Sequence, residues 1–86
     1  MPREPSRNSR FIEQARTEYA GTPKRIAWCT DRYGEIHAII EMVLDNGDVH
    51  YLDWIGAEHA DQPDEFGDEV PFSNLKWAYV PDTKET

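Results

Sequence analysis

The chain has 86 residues, 38% hydrophobic and 30% charged, with a formal net charge of −8. That length holds one domain, and the composition is that of a small globular protein, not a disordered chain. Residues 1–25 carry six Lys or Arg against three Glu, net +3, whereas residues 26–86 carry three against fourteen acids, net −11. An acidic body excludes direct nucleic-acid binding, which needs a cationic surface, and favours basic partners.

Two further classes are set aside. The longest apolar stretch, IHAIIEMVL, is too short to cross a bilayer, so no membrane association is expected. No apolar run follows the Arg residues of MPREPSRNSR, so no secretory signal is read there. A single Cys, Cys29, excludes an internal disulfide framework and points to a reducing cytoplasm.

Residues 1–8 read as a flexible basic tail, residues 9–81 as one α+β domain, and residues 82–86 as a C-terminal tail. Asn8 or Ser9 can cap a helix whose Phe11, Ile12, Ala15 and Tyr19 recur on one face. Gly21 is the expected left-handed stop, and Pro23 prevents resumption. RIAWCT (25–30) alternates as a strand and DRYG (31–34) reads as a turn. EIHAIIEMVL and DVHYLDWI then flank Asn46-Gly47, the strongest hairpin signal in the chain.

The hairpin register follows from its two faces. A three-residue loop with Gly47 as the bulge pairs Leu44 with Asp48, Leu52 with Ile40 and Trp54 with Ala38. It gathers Ile36, Ala38, Ile40, Met42, Leu44, Leu52 and Trp54 on one side and leaves Glu41 and Asp53 on the other. The second side still holds Ile39, Val43, Tyr51 and Ile55, more apolar than water-facing residues need. A sheet curving toward a small barrel, or a partner on that face, is therefore expected. LKWAYV (75–80) is the last strand, ended by Pro81. The predicted fold is one N-terminal helix on an antiparallel sheet of about four strands.

Between the last two predicted strands lies an acid-dense connection. Glu58, Asp61, Asp64, Glu65, Asp68 and Glu69 fall within residues 58–72, with no Lys or Arg among them. The segment lacks the ligand spacing of a calcium loop: the third residue from Asp61 is Pro63 and the sixth is Phe66. His37, His50, His59 and Cys29 show no zinc-site spacing, and the register sets His37 and His50 on opposite faces. Cys29 sits in mid-strand without a Gly-rich elbow, as a structural Cys does. No catalytic residue, metal site or cofactor is expected, and no enzyme.

VPFSNLKWAYVP resembles the short turn and last strand of an SH3 domain, which implies an SH3-like partial barrel. The long loop between the first two strands and the adjacent Trp pair of SH3 domains are missing, so no binding residues are carried over. The small, acidic, single-domain profile resembles in type the phage-encoded nucleic-acid mimics, including anti-CRISPR inhibitors. That likeness implies a protein-binding inhibitor that occupies a basic, Lys/Arg-lined groove of a nucleic-acid-handling complex. The expected contacts are Asp61, Asp64, Glu65, Asp68 and Glu69, with Phe66 as apolar anchor and Glu58, Asp45 and Asp48 in support. The alternatives are an SH3-like adaptor for basic or Pro-rich peptides and a homodimeric scaffold, so the chain is expected to be a monomer or homodimer. Ring burial separates the first two: buried Trp28, Trp54 and Trp77 with exposed acids fit mimicry, and an open aromatic groove fits the adaptor.

Overall fold

The computed structural model describes residues 7–56 and 62–80. In chain order these form α1 (Arg7–Glu18), β1 (Gly21–Thr30), β2 (Ile36–Leu44), β3 (Val49–Ile55), β4 (Asp64–Glu65) and β5 (Trp77–Tyr79). The helix packs on an antiparallel five-stranded sheet of order β4-β3-β2-β1-β5 that is not closed. The strand beyond the expected four is β4, two residues of the acidic connection paired with Leu52 and Asp53. The tails expected at 1–8 and 82–86, like Pro81, lie outside the described residues except for Arg7 and Asn8, which open α1. Asn8 and Ser9 are thus inside the helix, not before it.

Helix periodicity and strand alternation meet in one core. Phe11 and Ala15 of α1 are buried with Ile26, Ala38, Ile40, Met42, Leu52, Trp54 and Val80, and Ile12, Tyr19, Trp28 and Leu44 pack around them. The Phe11 ring lies 5.2 Å from Trp54 and 5.8 Å from Trp28, a separation typical of favourable aromatic pairs. The β2–β3 register is the one that places hydrophobic residues on one side: Ile40 faces Leu52 and Ala38 faces Trp54. Leu44 N–H donates to Asp48 at 2.8 Å, and Gly47 adopts φ 95°, the left-handed bulge that only a residue without Cβ takes easily. Ile36, expected in the core, is exposed at the start of its strand.

Gly21 corrects one expectation. It is not the left-handed helix stop but the first residue of β1, which begins four residues before Arg25 and runs through Pro23. Its small size serves strand contact: a Cβ there would stand 2.7 Å from the Val43 carbonyl oxygen and 2.9 Å from Leu44 Cα. Register shifts between Pro23 and Arg25, where Lys24 is bulged.

The middle of the sheet's second side is covered by the chain itself. The Phe72 ring lies 4.6 Å from the His37 ring, and the Trp77 ring takes the Arg25 guanidinium at 4.3 Å. Ile39, between them on β2, is fully buried. The centre of this face thus meets the segment leading from β4 to β5, whereas Ile55 at its end stays exposed.

Candidate functional site

Two charged networks lie under or beside that covering segment. The first centres on His37, only 4% exposed. Its Nδ1 is 2.9 Å from both carboxylate oxygens of Asp53, and its Nε2 is 2.8 Å from Asp31 Oδ2. Asp53 is 1% exposed and sits diagonally across from His37, whose direct partner on β3 is Ile55. Asp31 is fixed by the β1–β2 turn, where its Oδ1 accepts the N–H groups of Tyr33 and Glu35 at 2.8 and 2.9 Å.

A carboxylate only accepts hydrogen bonds, so a ring bonded to two of them must donate from both nitrogens. While both carboxylates are ionised, His37 is therefore the imidazolium. Burial by itself lowers its pKa, but the bonds to Asp31 and Asp53 outweigh burial and raise it. The bond from His37 holds Asp31 below the usual carboxylate range, whereas burial pushes Asp53 up against the opposing pull of the imidazolium. Cys29 faces His37 from β1. Burial pushes its thiol up, as do the charges of Asp53 and Asp31. With both ring nitrogens engaged, His37 is no base for it, and the trio is a clamp rather than a nucleophile-base pair.

The second network is a row across three strands, Arg25, Glu41 and Tyr51, set by the register of β1, β2 and β3. Arg25 bonds Glu41 bidentately at 2.8 and 2.6 Å, and Tyr51 Oη donates to Glu41 at 2.9 Å. The Arg25 bond holds Glu41 low. Beside this row opens a depression of about 410 Å³, walled by Tyr51, Phe72, Leu75, Trp77 and Arg25, with Asp68 in its lining. A second, of about 390 Å³, has Cys29, Asp31 and Tyr33 in its wall; Phe72 lines both.

The expected contact residues divide as follows. Asp64, Glu65, Asp68 and Glu69 are exposed on β4 and the turn after it, and Asp45 and Asp48 are exposed in the β2–β3 turn. Phe66 is half-buried, its N–H donating to the Tyr51 carbonyl at 3.0 Å. Glu58 and Asp61 lie outside the described residues. β4 runs antiparallel to β3, so the chain after Glu65 leads toward the Val49 end of β3, where the Asp45–Asp48 turn lies. Asp64 and Glu65 do not form a single row: Glu65 pairs with Leu52 on the helix side, where His50 Nδ1 is 3.6 Å away, and Asp64 pairs with Asp53 on the other side.

Sequence reasoning did not find the two networks. It placed Glu41 and Asp53 on a face expected to be covered, by sheet curvature or a partner, but gave neither residue a pairing there. The available signal was an outer face carrying Ile39 and Val43 beside charged residues. The rings give a mixed answer: Trp54 is buried, Trp28 packs half-buried against the core, and Trp77 borders the first depression. Among the described residues no group of three or more His, Cys, Asp or Glu is arranged to hold a metal, and no helix is long and apolar enough to cross a membrane.

No family model matches the chain, and no curated protein or solved structure shows significant similarity to it.

Proposed function

We propose that the protein is an acidic protein-binding module whose β4 edge and following turn engage a basic surface of a nucleic-acid-handling complex, as an inhibitor that stands in for nucleic acid. The observation that carries this reading is the exposure of Asp64, Glu65, Asp68 and Glu69 together on one sheet edge and its turn. Arg16 pairs with Glu13 and Arg25 with Glu41, while Glu65 lies 3.6 Å from His50 Nδ1. Asp45 and Asp48 extend the same charge at the neighbouring end of the sheet. Clefts and patches of one sign speed association with the opposite sign and select against like-charged partners.

Acids on an edge strand also discourage edge-to-edge pairing, which keeps the edge free of other copies of the chain. An SH3-like relation is part of this proposal, and rests on the helix-capped antiparallel sheet and on the turn before β5. The test is capture from host lysate with the full chain as bait, with and without competing duplex DNA, and with a variant carrying Asp64→Asn, Glu65→Gln, Asp68→Asn and Glu69→Gln. One basic partner released by DNA and not retained by the variant is the expected result. A partner held equally by both proteins and indifferent to DNA overturns the reading.

A further inference from the structure

We infer that the depression beside Trp77 receives an arginine side chain of the basic partner, with Asp68 as its counter-charge. This deepens the reading above and rests on it for the partner's basic character. The depression lies in the size range of ligand pockets, about 300–1,000 Å³, and so holds a side chain with part of its own backbone.

The walls explain the choice. Arg25 and Glu41 cancel each other in a bidentate pair, so Asp68 is the uncompensated charge among the lining residues. The aromatic side is held in place: Trp77 lies 6.1 Å from Tyr51 and is stacked by Arg25, which Glu41 fixes from the other side. Tyr51 is tied to the same Glu41. Phe72, packed on the His37 ring, closes the wall. Rings held in this way lose little freedom when a ligand arrives, and Trp and Tyr are the residues that most often carry interface energy.

Trp77 already accepts one guanidinium within its own fold, so the same surface chemistry suits a second. An Arg stem lies on apolar walls such as Phe72 and Leu75 while its head meets a carboxylate. Arg suits this site better than Lys because its planar head both stacks on rings and bonds a carboxylate through two donors. An anionic or purely apolar occupant leaves Asp68 repelled or desolvated without a partner.

The test is a titration of the full chain with a blocked Ala/Pro peptide carrying one Arg, followed by two-dimensional 1H–15N NMR. Matched peptides carry Lys or citrulline at that position; citrulline keeps the shape and removes the charge. The expected result is a saturable shift of the Trp77 indole and of the Asp68 amide with Kd near or below about 1 mM, while the Trp54 indole stays still. Citrulline, Lys and Asp68→Asn each weaken binding about threefold or more. The peptide comparison needs no variant, and Asp68 is exposed, so neither arm depends on a fragile fold. Equal binding of the Arg and citrulline peptides, an unmoved Trp77 indole, or indifference to Asp68→Asn overturns the inference. If the captured partner still depends on the β4 acids in any of those cases, the groove assignment alone has failed.

Discussion

The His37 imidazole Nδ1 lies 2.9 Å from the Asp53 carboxylate, with both side chains sealed from solvent between the sheet and Phe72. A buried pair of this kind is a poor source of net stability but a costly one to break, because the survivor loses a buried partner; without Asp53, His37 keeps only the bond to Asp31. Asp53→Ala is therefore expected to cost roughly 3–5 kcal/mol. The double variant His37→Phe/Asp53→Leu replaces both charges by apolar volume and is expected to cost much less. Urea unfolding of the two proteins decides it; a double variant as unstable as Asp53→Ala contradicts the assignment.

The same pair sets a pH profile. A histidine whose folded pKa is raised adds stability below its unfolded value, about 6.5, and that contribution is lost as pH rises through the folded value. Asp53, raised by burial, acts in the same direction, since its ionised form is the one disfavoured in the fold. Asp31 and Glu41 are held low, so their contribution is present above about pH 4 and is lost as pH falls through their folded values. Stability should peak in mildly acidic solution and decline on the alkaline side. Unfolding free energies across pH 4–9 test this, with His37→Gln flattening the alkaline limb. An alkaline limb unchanged in that variant assigns the slope to another group.

Gly21 offers a steric prediction. A Cβ at 2.7 Å from the Val43 carbonyl oxygen meets backbone, which cannot swing aside as a side chain does. Gly21→Ala should destabilise by about 1–3 kcal/mol, the range for forced overpacking. A midpoint equal to that of the unaltered protein shows that β1 and β2 separate there without cost.

Glu41 binds Arg25 and Tyr51 at once, so Glu41→Gln weakens three charge-assisted bonds, two from Arg25 and one from Tyr51. Each such bond contributes roughly 1.5–3 kcal/mol, and the amide keeps part of that, so a loss of about 1–2 kcal/mol is expected in thermal or urea unfolding. The Tyr51 hydroxyl should titrate lower in the variant, because burial and then the bond to Glu41 hold its pKa up. An unchanged phenol titration removes the Tyr51–Glu41 bond from the account.

What the sequence made legible follows from how local each signal is. The Asn46-Gly47 turn and two alternating strands determine the β2–β3 register, and helical spacing picks out Phe11, Ala15 and Tyr19, because both depend on neighbours in the chain. β4 was hidden: two acidic residues have no period, and they pair only because β3 offers a free edge. The partners of Arg25 and His37 were hidden for a related reason. Glu41 and Asp53 are 16 residues away from them, and only the full sheet register together with the segment around Phe72 brings them into one half-buried and one buried pair. The exposed acids needed no such knowledge, since charge density is read directly from composition.

The acids of β4 and its turn are proposed to act through charge. The decisive measurement is the affinity of the captured partner for the unaltered chain and for the Asp64, Glu65, Asp68 and Glu69 neutralised variant, between about 50 and 500 mM salt. The unaltered protein is expected to lose about tenfold or more in affinity across that range, mainly through slower association, and the variant is expected to start weak and change little. Salt-independent affinity in the unaltered protein, or a variant that binds as well at every salt, contradicts the proposed mechanism.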